Sequence, residues 1–436
     1  MTPSGTDVVG LSDAARAVLA DLVSSYAARR AGWGGGGQVE VLDAAVLHPG
    51  RPGIVDVIAA EGDRVVHLPL GLRDPTDEAR FIPEGEDPVL GLFEDEGGVA
   101  VAFDAMRDAE VAVLLLAHVA GEAVEASRVR QVRSDDESVT LAMEDRIAFT
   151  VFNTVVEGRR PGLELFLSLD EVGFNHLAAP LAVWRRGGRD LGIVQEYLAG
   201  ASSGFDLALT SVRDLYASGG PPELAGGDFG AEAHRLGTMT ARMHLALDKA
   251  FGRRVGEAER WAVDIEATLR AVAPALLERP DVAELLAQLR ALAVACQVVR
   301  THGDFHLGRT CRTDQGWYVV DFAHDGRPTT HAGIVPSSGD DDPVYRSPLA
   351  DVADMMWSFG MVANTAAHER DPSGREGLAQ LAHAWEARNR RAFLAGYLGV
   401  PGITGLVPAG RDAVRVLIGS FELERTAARV AETGLD

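Results

Sequence analysis

The stretch THGDFHLG occupies residues 301–308, and VVDF follows at residues 319–322. These segments place two carboxylates, Asp304 and Asp321, 17 positions apart. A loop followed by a hairpin of short strands would bring the second aspartate beside the first. Phosphoryl transfer needs such a pair, because one carboxylate orients the attacking hydroxyl while the other holds Mg²⁺ against the nucleotide phosphates. We therefore predict a phosphotransferase in which Asp304 is the catalytic base and Asp321 binds the metal.

The composition and charge of the chain limit its function class. Its 436 residues suffice for two or three domains, and its net charge of −23 disfavours binding to nucleic acid or anionic membranes. The two cysteines give neither a disulfide framework nor metal-ligand spacing. The first ten residues lack a secretory signal, and the apolar run Val111–Ala120 is too short to span a bilayer. We expect a soluble cytoplasmic protein, and a monomer because no coiled-coil heptads or single apolar patch stand out.

Hydrophobic periodicity predicts an α+β fold in three parts. An early helix and short strand-like runs indicate an N-terminal cap subdomain over residues 1–115. Further strand-like runs around a helix at 162–172 indicate an intermediate subdomain over residues 116–198. Long helices interrupted by two short strands indicate a helical lobe over residues 199–436, in which 282–299 is expected to be one helix.

Two segments of the helical part carry a family resemblance. Residues 301–322, together with RSPLADVADM at residues 346–355, resemble bacterial maltokinases, which are relatives of the aminoglycoside phosphotransferases. Within that group the chain is most similar to actinobacterial glucosamine kinases, over about residues 120–430. The resemblance implies a bilobal protein-kinase-like fold, ATP and Mg²⁺ as cofactors, and a sugar or aminosugar as acceptor.

The resemblance also implies residues that support the catalytic loop. Asp351 matches a helix aspartate that braces this loop from behind, and His302 is assigned to the same supporting layer. Glu164 matches the helix glutamate that normally pairs with a strand lysine. A solvated helix glutamate is an equally good interpretation of Glu164.

The nucleotide is expected to contact two segments. QEYL at residues 195–198 matches the family's hinge, whose backbone would bond adenine, and residues 135–140 match a polar loop over the phosphates. The candidate nucleotide-binding residues are Arg133, Ser138, Thr140, Gln195, Glu196, Tyr197 and Leu198.

Three positions depart from the family's pattern. Thr150 stands where relatives have the lysine that grips the phosphates, and the chain has a single lysine, Lys249. Arginine can grip phosphate with two hydrogen bonds, so Arg133 is hypothesised in this role, with Arg160 as the other candidate. Arg309 stands where relatives often have a Gln or Asn metal ligand, and arginine has no lone pair for a cation. Ala323 replaces the Glu that follows Asp-Phe, and Asp325 is a possible compensation.

The last helix is expected to line the acceptor site. It carries FELERTAARVAE at residues 421–432, in which Ala428 and Glu432 match two tyrosines that form a disaccharide platform in maltokinases. Losing two rings disfavours maltose, and a carboxylate there favours an ammonium group. The alternative is a solvated helix with intrahelical pairs such as Glu422 with Arg425. The candidate substrate contacts are Asp304, His306, Glu422, Glu424, Arg425 and Glu432.

These observations lead to one expected activity and two rivals. We expect an ATP-dependent sugar kinase that phosphorylates the 6-hydroxyl of D-glucosamine. Another maltokinase-like sugar or aminoglycoside kinase is the first rival. The second is a catalytically impaired, pseudokinase-like nucleotide-binding protein, which the residues at 150 and 309 motivate.

Overall fold

The computed structural model describes residues 13–29, 39–62, 64–83, 87–95, 98–225, 227–292, 296–322, 345–373 and 377–433. The chain forms two compact units. The first contains residues 1–160 and 178–199, and the second contains residues 161–177 and 200–436. The division into three parts remains a prediction, and its boundary after residue 115 falls inside a helix.

The first unit contains two five-stranded antiparallel sheets and two helices. The spatial order of strands is β1-β2-β3-β5-β4 in one sheet and β6-β7-β8-β10-β9 in the other. Both sheets are built largely from hairpins between strands adjacent in sequence, which keeps their contacts local. The elements of this unit are α1 (Asp13–Ala27), β1 (Val39–His48), β2 (Gly53–Glu61), β3 (Arg64–Arg73), β4 (Val89–Asp95), β5 (Gly98–Asp104), α2 (Ala109–Ala120), β6 (Val129–Ser134), β7 (Ser138–Met143), β8 (Ile147–Phe152), β9 (Pro180–Arg186) and β10 (Arg189–Glu196).

Helix α2 contains the most apolar run of the chain and forms part of a core shared by both sheets. The Asp108 side chain accepts the backbone N–H groups of Glu110 and Val111 at its N-terminus, which satisfies two of the donors that a helix start leaves open. Gly121, with φ of 72°, ends the helix in the left-handed conformation that glycine tolerates best. Leu115 and Leu116 are fully buried beside residues of both sheets.

A buried polar network connects the two sheets of the first unit. The Asp56 carboxylate of β2 accepts a hydrogen bond from His67 Nε2 at 2.7 Å and another from Arg186 Nε at 3.0 Å. The other ring nitrogen of His67 bonds the carbonyl of Phe152 at 2.7 Å. Asp56 and His67 are fully buried, so each polar atom depends on these partners in place of water.

The second unit is mostly helical and contains two small three-stranded sheets. Its sheets have the orders β11-β14-β15 and β12-β13-β16. The elements are α3 (Pro161–Glu171), β11 (Ser202–Ser203), α4 (Gly204–Ser218), α5 (Gly230–Phe251), β12 (Arg254–Gly256), α6 (Ala258–Val272), α7 (Pro274–Leu277), α8 (Pro280–Arg290), β13 (Cys296–Arg300), β14 (Thr310–Arg312), β15 (Trp317–Val319), β16 (Tyr345–Arg346), α9 (Leu349–Arg370), α10 (Ala379–Leu398) and α11 (Arg411–Thr433).

Helices α5 and α10 lie in close contact through two glycines. A Cβ atom at Gly237 would collide with the backbone carbonyl of Phe393, and one at Gly396 would collide with that of His234. Any larger side chain at either position would therefore push the helices apart. None of the helices among the described residues is long and apolar enough to cross a membrane.

The structure corrects one expectation about the second unit. Residues 282–299 were expected to form one helix, but α8 ends at Arg290 and Cys296–Arg300 is a strand. Val298 pairs with Arg254 of β12, and Val299 pairs with Arg346 of β16. Val299 is fully buried between these neighbours, so tertiary pairing overrides the helical spacing of the apolar residues. This strand leads directly into the catalytic loop predicted at residues 301–308.

The buried network of the first unit provides a test of stability. Asp56→Ala leaves His67 and Arg186 without their buried acceptor, and we expect it to lower the free energy of unfolding by about 3–5 kcal/mol. Urea unfolding followed by circular dichroism measures this change. Asp43 binds the same Arg186 guanidinium at a partly exposed position, so Asp43→Ala should cost less than about 1 kcal/mol. Equal losses in the two variants would contradict the role assigned to burial.

Candidate active site

The loop after β13 is held in place by one buried carboxylate. Asp351, in the first turn of α9, accepts the backbone N–H of His302 at 2.8 Å and that of Gly303 at 3.0 Å. His244 Nε2 donates to the same carboxylate at 3.0 Å. Gly303 has φ of 88°, so this turn requires a residue without a side chain. Burial raises the pKa of Asp351, but its contacts, among them those with His244 and the Gly303 N–H, together lower it by more, and the carboxylate stays ionised.

His302 packs inside the loop as a neutral ring. Its side chain is buried and stacks on Phe322, with ring centroids 4.9 Å apart. Burial lowers the pKa of His302 to about 4, which keeps the imidazole uncharged at neutral pH. Because Phe322 follows Asp321 directly, the stacked rings help to set the position of the second aspartate.

Asp304 contacts two arginines and lies near a histidine. Its Oδ2 accepts from Arg309 Nη2 at 2.9 Å and Nε at 3.2 Å, and its Oδ1 accepts from Arg425 Nη2 at 2.9 Å. His306 Nε2 lies 3.5 Å from Oδ2. Burial raises the pKa of Asp304, but His306, Arg425 and Arg309 together hold it well below its usual range. The carboxylate is therefore ionised and can accept hydrogen bonds throughout the physiological pH range.

The tautomer of His306 follows from its backbone contact. The N–H of Gly308 donates to His306 Nδ1 at 3.1 Å, so Nδ1 is the acceptor and Nε2 carries the hydrogen. Nε2 is the ring nitrogen near Asp304. His306 thus presents a donor toward the predicted base.

The backbone of Asp321 adopts an unusual conformation. Its φ of 61° is in the left-handed region, which non-glycine residues seldom occupy and which is enriched at functional sites. Its Oδ2 accepts a hydrogen bond from Arg309 Nη1. One guanidinium therefore bridges Asp304 and Asp321, and the loop and hairpin bring the two predicted carboxylates together.

The carboxylates match the chemistry of a magnesium site only in part. Mg²⁺ prefers oxygen ligands and is usually held by one or two carboxylates together with substrate phosphates. Asp321 supplies such oxygens, and a carboxylate can accept a guanidinium and a metal at the same time. Position 309 supplies no lone pair. Among the described residues, no group of three or more His, Cys, Asp or Glu side chains is arranged to hold a metal ion. The residues fit one ion held by Asp321 and phosphate.

A second charged cluster lies next to Asp304 on α9 and α11. The Arg425 guanidinium lies over the ring of Trp357, 5.2 Å from its centroid, and its Nε is 3.9 Å from Asp354 Oδ1. Arg346 Nη2 donates to Glu424 Oε2 at 2.6 Å. Burial, with the nearby carboxylates of Asp351 and Asp304, raises the pKa of Asp354 to about 7 against the attraction of Arg425 and Arg346.

The candidate residues of α11 have partners outside their own helix. Glu422 accepts from Arg390 Nη2 of α10 at 2.6 Å, and Glu424 and Arg425 have the partners described above. The intrahelical pairing of Glu422 with Arg425 is therefore not what the structure contains. Ala428 is buried, and the side chain of Glu432 lies outside the described residues, as do Ala323 and Asp325.

The candidate site includes four residues to which sequence reasoning gave no role: Asp354, Trp357, Arg346 and His244. The sequence could have indicated Asp354, because it follows Asp351 by three positions and so lies on the same helix face. The other three carried none, since their partners lie far away in sequence.

Glu164 is partly exposed and pairs with an arginine instead of a strand lysine. Its Oε2 accepts from Arg300 Nη1 at 3.2 Å within the second unit. Arg300 is the last residue of β13, directly before the catalytic loop, and it also lies over the ring of Phe251. The glutamate thus holds α3 against the strand that enters the site.

The candidate phosphate-binding residues of the first unit have local partners. Arg133 Nε donates to Asp135 Oδ2 at 2.6 Å, and Asp135 also accepts the backbone N–H of Ser138 at 2.8 Å. The hydroxyl of Thr140 shares a hydrogen bond of 2.9 Å with that of Thr150, the residue at the lysine position. The role of Arg133, Ser138 and Thr140 in nucleotide binding remains a prediction.

Arg160 is less suited to that role than Arg133. It is buried, its guanidinium lies over the ring of Phe152, and its Nη1 donates to the carbonyl of Thr154 at 3.0 Å. Arg133, by contrast, is 40% exposed and could exchange Asp135 for a phosphate. Arg133 is therefore the better candidate of the two.

The predicted hinge residues lie at the C-terminal end of β10, in the second sheet of the first unit. Gln195 and Glu196 end β10, and the N–H groups of Glu196 and Tyr197 donate to the carbonyls of Ala179 and Arg146 at 2.9 Å and 2.8 Å. An adenine ring would have to bond other backbone groups of the segment. The chain passes into the second unit immediately after Leu198 and Ala199.

The raised pKa of Asp354 gives a pH-dependent prediction. A carboxyl whose pKa is higher in the folded chain contributes stability below its ordinary value near 4, and this contribution is lost as the pH rises through about 7. Asparagine does not titrate, so Asp354→Asn does not lose stability in this way. The melting temperature of the variant minus that of wild type should therefore increase from pH 5 to pH 8. The corresponding change in the free energy of unfolding is at most about 1.4 kcal/mol per pH unit. Asp412→Asn, at the exposed start of α11, is the control, and an equal pH profile for both variants would contradict the prediction.

Comparisons with known proteins agree with this geometry. Residues 215–394 match the model of the phosphotransferase enzyme family, APH. A curated glucosamine kinase of Streptacidiphilus jiangxiensis is 33% identical over 257 residues, which cover 54% of this chain and 53% of that protein. The alignment thus spans about half the length of this curated relative.

Solved structures extend the similarity to nearly the whole chain. One glucosamine kinase structure, crystal form A, has a TM-score of 0.64 at 22% identity and covers 98% of this chain and 95% of its own. Another, in complex with glucosamine, ADP and inorganic phosphate, has a TM-score of 0.63 at 22% identity, with coverages of 99% and 96%. The predicted resemblance and the predicted α+β kinase-like fold are confirmed. Residues 215–394 thus match the phosphotransferase enzyme family, and the chain has the fold of the solved glucosamine kinases.

Proposed function

We propose that this protein is an ATP-dependent sugar kinase that transfers the γ-phosphoryl group of ATP to the 6-hydroxyl of D-glucosamine. The observation that carries the proposal is the pairing of Asp304 and Asp321, on a loop that Asp351 holds rigid. A braced carboxylate beside a second, metal-binding carboxylate is the minimal set for phosphoryl transfer to a hydroxyl. The similarity to glucosamine kinases, one of them solved with glucosamine and ADP, supports this acceptor and this nucleotide.

Asp304 acts mainly by orienting the acceptor hydroxyl. Its low pKa makes it a weak base, so it does not remove the proton before the bond to phosphorus begins to form. The transition state of phosphoryl transfer is loose and leaves the proton on the hydroxyl until late, which suits such a group. The acceptor hydroxyl would donate to Asp304 and release its proton there as transfer completes. Positioning is therefore the principal catalytic contribution.

Asp321 would hold Mg²⁺ together with the nucleotide phosphates, and the ion would neutralise part of their negative charge. Arg133 is the residue that we assign to the phosphates in place of the missing lysine, because it is partly exposed and arginine grips phosphate well. The hinge segment 195–198 would bind adenine through its remaining backbone groups.

The acceptor's ammonium group would bind among the carboxylates of α9 and α11. Glu424 and Asp354 belong to the same charged cluster as Arg425, which contacts Asp304. An ammonium group near Asp354 would favour its ionised form, since the pKa of this carboxyl lies near 7 in the free protein. Glu422 is held by Arg390 of α10 and contributes less directly.

The remaining assignments follow from the reaction. An enzyme that uses ATP and carries buried free thiols, such as Cys296 and Cys311, suits the cytoplasm. We also expect a monomer.

Release of ADP with a panel of acceptors tests the proposed activity. We expect release with glucosamine and much less with maltose or an aminoglycoside, and Asp304→Ala should abolish it because the acceptor loses its orienting group. ATP binding, measured by calorimetry, should persist in this variant. Turnover that survives Asp304→Ala would refute the mechanism. Release with maltose alone, or nucleotide binding without release with any sugar, would favour the rival activities.

The acceptor site has a separate test in the charge of Glu424. Glu424→Gln should raise the KM for glucosamine about tenfold or more, because a charge-assisted bond contributes about 1.5–3 kcal/mol. The KM for glucose, which lacks the ammonium group, should change little. Glu422→Gln should have the smaller effect, and Asp412→Asn at the exposed start of α11 is the matched control. A uniform change for both sugars would show that Glu424 does not recognise the amine.

A further inference from the structure

Arg309 connects the two carboxylates of the site with a single guanidinium group. Nε and Nη2 donate to Asp304 Oδ2 at 3.2 Å and 2.9 Å, and Nη1 donates to Asp321 Oδ2. Nε and Nη2 share one acceptor oxygen of Asp304 and Nη1 contacts Asp321, so one planar guanidinium holds both carboxylates through charge-assisted hydrogen bonds. Arg309 therefore already occupies an oxygen of Asp304 and an oxygen of Asp321, the carboxylate that would hold the metal.

The backbone fixes the position of this cation. Arg309 ends a short 3₁₀ helix that begins at Leu307, and its N–H donates to the carbonyl of His306 at 2.8 Å. Its own carbonyl accepts the N–H of Val320 at 2.9 Å. Position 309 is thus tied on one side to the loop of Asp304 and on the other to the residue that precedes Asp321. The guanidinium thus bridges two aspartates whose chain segments are also connected by the backbone hydrogen bonds of Arg309.

Among the described residues, the positive charges bonded to this pair equal its negative charges. Asp304 and Asp321 contribute two negative charges, and Arg309 and Arg425 contribute two positive charges. A divalent ion placed between the carboxylates would lie beside a guanidinium and leave an excess of positive charge at a partly buried position. Moreover, arginine offers the ion no lone pair, whereas a Gln or Asn at this position would.

We propose that the Arg309 guanidinium takes the place of a protein-bound metal ion between Asp304 and Asp321, so that the chain by itself does not bind a divalent cation there. An ion enters only with phosphate oxygens, which supply the negative charge that the protein has already neutralised. The absence of a bound ion in the nucleotide-free chain is inferred from the geometry of Arg309 alone. The entry of an ion with phosphate rests on the proposed phosphotransfer.

Binding of Mn²⁺ to the full chain without nucleotide, followed by electron paramagnetic resonance, tests the proposal. We expect no binding by wild type at millimolar protein and metal. Arg309→Met and Arg309→Gln should both bind one Mn²⁺, because each removes the charge that excludes the ion. Arg312→Gln is the matched control, since Arg312 is similarly exposed but pairs with Glu232, and it should bind none.

Thermal unfolding gives a second readout that does not depend on activity. Without metal, both Arg309 variants should melt lower than wild type, because the two carboxylates face each other with less compensation. Added Mg²⁺, compared with NaCl of equal ionic strength, should raise the melting temperature of the variants by a few degrees and leave wild type unchanged.

Three outcomes would overturn the proposal. The first is binding of one Mn²⁺ by nucleotide-free wild type at millimolar protein and metal, a result that requires no variant to fold. The second is binding by Arg309→Gln alone, which would mean that position 309 merely lacks a ligand and does not exclude the ion. The third is no gain in either Arg309 variant while both remain folded. None of these outcomes depends on whether glucosamine is the acceptor, so a failure here is distinguishable from a failure of the proposed function.

Discussion

The second unit depends on one carboxylate that accepts two backbone N–H groups. Asp351 satisfies His302 and Gly303 at the turn that the catalytic loop makes after β13, and without it two buried donors would lack partners. Because the carboxylate is itself held by His244, the loop is fastened to α5 as well as to α9. The position of Asp304, one residue further on, follows from this brace. Catalysis by positioning requires such rigidity, since small displacements of a reacting group are costly.

The charged residues around the loop form a continuous arrangement in which acids and arginines alternate. Arg309 joins Asp321 to Asp304, and Arg425 joins Asp304 to the neighbourhood of Asp354. Each carboxylate has a guanidinium neighbour, so the strongly acidic chain does not produce an uncompensated negative site. The chain obtains this effect almost entirely with arginine, whose planar group can contact two carboxylates, whereas the compact charge of lysine suits a single partner better.

Sequence reasoning found the residues with local patterns and missed those defined by distant partners. The spacing of Asp304 and Asp321 predicted their proximity because a loop and a hairpin are short-range structures. The strand at Cys296–Arg300 was missed because its pairing with β12 and β16 is a tertiary property, while its apolar spacing also fits a helix. Helical periodicity could place Glu422 and Glu424 on α11, but not assign them to Arg390 and Arg346, which lie elsewhere in the chain.

The ion pair between Glu164 and Arg300 has a consequence for the geometry of the loop. In protein kinases a helix glutamate, which Glu164 is predicted to match, pairs with a strand lysine, and that pair must be in place for activity. Here the lysine is absent, and the glutamate joins α3 to the strand that enters the catalytic loop. Displacing α3 would therefore disturb the loop itself instead of releasing a nucleotide contact. The position of α3 and the geometry of the loop are therefore linked through this one ion pair.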